Sequence, residues 1–354
     1  MILLRVAAFL LGAGLVTVTL LSAVRTFVLP RSANDPIARF VFHTIRRIFD
    51  LVLRRADSYT QRDQIMAYYA PFSLLALLPV WLVLVQLGFT GMYWGTGLTG
   101  IYQAYRTSGS SLLTLGFASQ ESLVLTVLDF TAATIGLMLI ALLIAYLPSI
   151  YSAFSRREAA VALLEVRAGS PPSPVEMLRR YQRIHGLDKL GQQWENWETW
   201  FTEVDESHTS LSALVFLRSP QPERSWVTAT GTILDTAALT RSSLDIPTDA
   251  RADLCIRAGF LALRHIAGFF NLPIHPDPHY PDQPISISRE EFEAALDSLA
   301  EADIPLKQDR EQAWRDFAGW RVNYDQVLTA LAELTLAPEN AWTKRRQPAG
   351  QTGQ

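Results

Sequence analysis

Charge is scarce in this chain and cysteine nearly absent. Only 18% of the 354 residues are Asp, Glu, Lys or Arg, against 49% hydrophobic. That average joins a strongly apolar part to a soluble one, and the length suits two or three domains. The one cysteine, Cys255, excludes an internal disulfide and suits a reducing compartment. A net charge of −3 argues against a nucleic-acid partner. There is no Gly-rich phosphate loop, dinucleotide fingerprint or defensible Ser-His-Asp spacing, so nothing in the sequence marks an enzyme.

What is present begins with three apolar runs of the length a bilayer requires, about 20 residues. They cover Val6 to Val24, about Met66 to Phe89, and about Ser122 to Ile150, the last interrupted only by Asp129. The first run is flanked by Arg5 and Arg25 and lacks a small-residue cleavage site, so it reads as an uncleaved anchor rather than a signal peptide. The link from Pro30 to Gln64 carries Arg31, Arg39, Arg46, Arg47, Arg54, Arg55 and Arg62, and Arg156 and Arg157 follow the third run. The connection between runs two and three has only Arg106. The positive-inside tendency puts the first link and the C-terminal half in the cytoplasm and the N-terminus outside. The expectation is a multi-pass protein of the cell (plasma or inner) membrane, with the lipid bilayer as its first partner.

Within the first link, residues 37–49 place apolar side chains at helical spacing with arginines between them. This is a basic amphipathic helix, of the kind that lies on an anionic inner leaflet or packs on a cytoplasmic domain. Tyr68 and Tyr69 at one end of run two, and Tyr93 and Trp94 at the other, match an interfacial belt. Pro71 and Pro79 lie within that run.

Between runs two and three lies a Gly-, Ser- and Thr-rich insert, residues 95–121. It is too polar and too broken by Gly to span, and too uncharged for an ordinary external loop. Non-helical backbone at membrane depth is tolerated only where it is buried in protein or lines water. The pattern predicts a re-entrant loop: a short helix from about Thr99 to Ser111, then an extended Thr114-Leu115-Gly116-Phe117. In order and framing this resembles the potassium-channel pore domain, whose filter reads Thr-Val-Gly-Tyr-Gly. The likeness covers about residues 66–155. It implies that Thr114 supplies a hydroxyl and a carbonyl, that Leu115 and Gly116 supply carbonyls, and that Phe117 packs outward to hold the filter open. Ala118 stands where the family has a second Gly, and Ser119 where it has Asp, so the filter is degenerate. The resemblance further implies a homotetramer, because one loop per chain cannot close a pore. The permeant species would be a monovalent cation, K+ by resemblance, with no cofactor.

Three further features bear on a pore. Asp129 in run three either pairs with Arg106 or with the Ser110 or Ser111 hydroxyls, or begins the helix at headgroup depth. Gly136 near mid-run matches the family's gating hinge by resemblance, or else permits close helix approach. Pro148 can bend the same helix.

From Ser155 onward the chain reads as soluble and helical. Run three continues to Ala168 and ends at Gly169. Ser173-Pro174-Val175-Glu176 is a capping signature that starts a helix to about His185. Further helices are expected near 191–207, 222–240, 248–270, 289–302 and 308–336, with a disordered tail, residues 341–354. Trp194, Trp197, Trp200 and Phe201 form a core stripe at helical spacing, and the 249–270 helix, apolar nearly all round, suits the domain centre or a subunit contact. His275, Asp277 and His279 share a Pro-rich loop and are read as a loop rather than a metal site, and Glu206 and His208 as helix-end residues rather than catalysts.

The reading is an all-α membrane protein in five parts: anchor helix 1–29, basic linker 30–64, two-span pore unit 65–155, helical cytoplasmic domain 156–340, and tail. Its function is an oligomeric, potassium-conducting cation channel. The alternative is a non-conducting, membrane-anchored interaction or signalling protein.

Overall fold

A computed structural model of the chain describes residues 1–29, 35–118, 122–339 and Trp342. Arg31, Ser119 and the tail beyond Trp342 lie outside the described residues. Among the described residues all regular structure is helical, apart from one isolated bridge between Leu244 and Leu306. Three helices are long and apolar enough to cross a membrane: Ile2–Phe27, Tyr59–Gly95 and Leu123–Ala168. The chain divides into two compact units, Met1–Ala56 with Ile65–Ser152, and Asp57–Gln64 with Ala153–Gln354. The stretch read as one linker is therefore shared, since Asp57–Gln64 folds with the second unit.

The first unit holds α1 (Ile2–Phe27), α2 (Pro36–Leu53), α4 (Tyr69–Gly95), α5 (Ile101–Leu112) and the first part of α6 (Leu123–Ala168); α3 (Tyr59–Ala67) leads into α4 from the second unit. Glycines let α1 and α4 meet backbone to backbone. A Cβ at Gly12 would lie 2.3 Å from the Gly88 carbonyl oxygen, and one at Gly95 would lie 2.7 Å from that of Arg5. Small residues at such crossings replace the hydrophobic drive that lipid removes. Trp81 Nε1 donates to Ser22 Oγ at 3.0 Å, and Ser22 Oγ donates to Asp35 at 2.7 Å. Asp35 also caps α2 by accepting from the Ala38 amide. The first apolar run is thus an integral wall of the unit.

The second unit packs α7 (Pro174–Arg183), α8 (Leu190–Ser210), α9 (Trp226–Ser243), α10 (Ala250–Phe269), α11 (Arg289–Ala300) and α12 (Arg310–Thr335) around one core, together with the end of α6. Ser173 caps α7, and Gly169 ends α6 with φ +84°. The tryptophan stripe is buried in the core as expected. The central helix, however, is α9 and not α10. α9 is buried along nearly its whole length, while Leu254 of α10 is 50% exposed. The reason is chemical: Thr230, Thr232, Thr236 and Thr240 each donate to the carbonyl four residues back, so a polar sequence becomes self-satisfied and can be enclosed. At its centre Asp235 accepts from Arg321 and from Tyr324 Oη, and Arg321 also donates to Asp325 at 2.9 Å.

Candidate functional site

α5 is twelve residues long, about 18 Å, and cannot cross the roughly 30 Å of a hydrocarbon core. It is nonetheless packed deeply. Ala104, Thr107, Ser108, Ser110 and Leu112 are all buried. Ser108 Oγ donates to the Gln86 carbonyl at 2.8 Å, and the Gly109 face leaves room for the Gln86 amide. A Cβ at Gly136 would lie 2.0 Å from the Leu112 carbonyl oxygen, so the end of α5 rests on bare α6 backbone. Gln86 and Gly136 lie about 14 and 20 Å along their helices from Gly95 and Leu123, the ends nearest the loop. The α5 terminus therefore stops well below those ends, and residues 113–122 lead the chain back to Leu123.

Beyond Leu112 the chain does not run extended. The Thr114 amide donates to the Ser111 carbonyl at 3.1 Å, and the Leu115 amide to the Ser110 carbonyl at 2.8 Å. Thr114 has φ +55° and Gly116 φ +71°. These bonds and the left-handed Thr114 make a Schellman cap. The expected extended segment is replaced because the last α5 carbonyls need donors, and the Thr114 and Leu115 amides supply them. The Ala118 amide donates to Ser110 Oγ at 3.0 Å, so buried Ser110 braces the turn. Leu115 and Phe117 are 60% and 54% exposed in the single chain, and the Arg106 guanidinium lies 5.2 Å over the Phe117 ring.

Asp129 Oδ1 accepts from Tyr93 Oη at 2.5 Å and from Ser111 Oγ at 2.6 Å. One carboxylate thus joins α4, α5 and α6. Of the expected partners, Ser111 is used, Ser110 is not, and Arg106 is turned to Phe117. Tyr93, expected in an interfacial belt, is fully buried in this network. Gly136 is placed as a close-approach residue against α5.

In the second unit the sequence-noted polar residues are dispersed. His208 is fully buried, 3.2 Å from Arg157 Nη1 and tilted against Trp226 at 4.8 Å between ring centroids. Burial and the Arg157 charge push its pKa well below the usual imidazole range. Glu206 lies 3.5 Å from Ser210 Oγ. His275 and His279 are tied to their own loop through the Asp277 backbone. Among the described residues no cluster of three or more His, Cys, Asp or Glu is placed to hold a metal.

Two arginines do more than sequence reasoning found: Arg157 was read only for its charge after the third run, and Arg218 was not singled out. Arg157 on α6 donates to the carbonyls of Leu214 and Leu217 at 2.8 and 2.7 Å. Arg218 donates to Asp63, to Tyr59 Oη at 3.0 Å, and to the carbonyls of Thr335 and Leu336 at the end of α12. Together they fasten two segments that continue directly into membrane helices.

No family model, curated protein or solved structure matches the chain.

Proposed function

We propose that this chain is the pore-forming subunit of an oligomeric cation channel in a cell membrane, potassium being the permeant ion by resemblance. The observation that carries the reading is the short α5, whose end packs against Gly136 between two membrane-length helices. A helix C-terminus carries partial negative charge and favours cations near it. Carbonyl rings and helix ends of this kind are how channels compensate a dehydrating ion. In this reading Thr114, Leu115, Gly116, Phe117 and Ala118 form the filter region, Asp129 with Tyr93 and Ser111 holds it in place, and the second unit is cytoplasmic. The resemblance to potassium-channel pore domains supports the arrangement, and Ala118 and Ser119 are its departures.

The test is planar-bilayer recording of purified protein with ion substitution. We expect cation currents that Gly116→Asp abolishes while the assembly persists in detergent. Unchanged current in Gly116→Asp would remove the filter assignment. The second reading, a non-conducting membrane-anchored interaction protein, is favoured by the closed hydrogen bonding of the Thr114 turn. Absence of current in every ion would leave that reading standing.

A further inference from the structure

α2 is packed on one side only. Val41 is buried, and the Phe42 and Phe49 rings meet Tyr69 at 6.3 and 5.8 Å. Tyr69 Oη donates to the Phe42 carbonyl at 3.3 Å, and Arg46, paired with Asp50, lies 5.6 Å over the Tyr69 ring. The rest of the circumference has no protein against it. Phe40, Ile48 and Leu51 are 69%, 54% and 59% exposed. At about 100° per residue, Arg47 and Arg54 fall about 20° and 40° from Phe40 on one border of that apolar strip, and Arg39 lies about 100° from Phe40 on the polar side. Among the described residues no carboxylate pairs with these three. Elsewhere in the chain Arg224, Arg241, Arg289 and Arg310 each hold a carboxylate.

An apolar strip bordered by uncompensated arginines, on a helix that follows one membrane-length helix and is fixed to the first residue of another, needs a partner that is apolar on one side and anionic on the other. We propose that α2 docks on the anionic leaflet of the bilayer, with Phe40, Ile48 and Leu51 at the acyl boundary and Arg39, Arg47 and Arg54 on lipid phosphates. The sequence left open whether this helix lies on lipid or on the soluble domain. Its packed face is taken by Tyr69 of its own unit, and its free face has the chemistry of a headgroup layer. Because Tyr69 opens α4, the lipid headgroups bear on the start of a membrane helix through a contact of one residue. The proposal does not depend on conduction.

The experiment uses the full chain with Leu51→Cys carrying a bimane fluorophore in a Cys255→Ser background. The protein is reconstituted in phosphatidylcholine vesicles with and without phosphatidylglycerol. We expect quenching by nitroxide on acyl chains and little by aqueous iodide. Nitroxide-labelled phosphatidylglycerol should quench more than labelled phosphatidylcholine, and salt should weaken that preference. Replacing Arg39, Arg47 and Arg54 by Gln should remove most of the preference, while replacement by Lys should keep it. Quenching by iodide and not by lipid nitroxide overturns the docking. A preference for phosphatidylglycerol that survives in the Gln variant overturns the arginine–phosphate assignment.

Discussion

Thr114 is a β-branched residue in a left-handed conformation, where such residues are rare and cost roughly 1–2 kcal/mol. Relieving that cost gives a prediction that separates structure from function. Thr114→Gly should stabilise the first unit by about 1 kcal/mol, read as a higher unfolding temperature in detergent, and in the channel reading should lose the hydroxyl and with it conductance. A lower unfolding temperature would mean that the hydroxyl stabilises the turn by more than the backbone strain costs. His208 gives a second prediction at this scale. Its pKa in the fold lies below the unfolded value of about 6.5, so the folded state binds fewer protons. The stability it contributes is present above that value and falls as the pH drops below it, by up to about 1.4 kcal/mol per pH unit. Proton uptake would place a second cation beside Arg157, whose other neighbour is the Glu158 carboxylate. Urea unfolding of wild type and His208→Gln between neutral and mildly acidic pH checks this. Parallel pH dependence in the two proteins would refute it.

Among elements, α3 stands out because its first residues belong to one unit and its chain continues into the helices of the other. Arg218 fixes those residues, and its side chain and that of Asp63 are each 10% exposed. Removing one partner of such a pair leaves a buried charge and costs about 3 kcal/mol or more. Arg218→Ala should therefore raise amide exchange over residues 58–66 and lower the unfolding temperature, while exchange in α9 stays slow. Unchanged exchange in 58–66 would show that chain connectivity alone orders the segment. Helices themselves were legible from sequence because their signals are local: Ser173 three residues before Glu176, Gly169 after an apolar run, apolar spacing through 249–270. The centrality of α9 was not, because threonines that bond within their own helix look polar in sequence and behave as apolar in the fold.

For the whole molecule, the three helices long and apolar enough to cross a membrane were visible in composition alone. The contacts that organise each unit were not. Arg157 reaches Leu217 and Arg218 reaches Asp63 across sequence separations for which no periodicity or motif exists, and the Tyr93–Ser111–Asp129 network joins three elements. The short helix α5 within the insert was legible from its Gly-bounded polar sequence. Its closed turn was not, because a Schellman cap normally announces itself with glycine and here it uses threonine. The channel reading makes a demand at this scale: a single chain has one loop, so native mass spectrometry in detergent should return four chains. A strictly monomeric protein would refute the pore.

The bare contact between Leu112 and Gly136 has a mechanical consequence. With no side chain between the two backbones, no change of rotamer can absorb sliding or rolling there. A turn of α6 by one residue position, about 100°, would drive Ile135 or Leu137 into the end of α5. The loop and the adjoining stretch of α6 are keyed like a cog and its rack and must move as one piece, so any bending of α6 has to be taken up further along, where Pro148 interrupts the hydrogen-bond ladder.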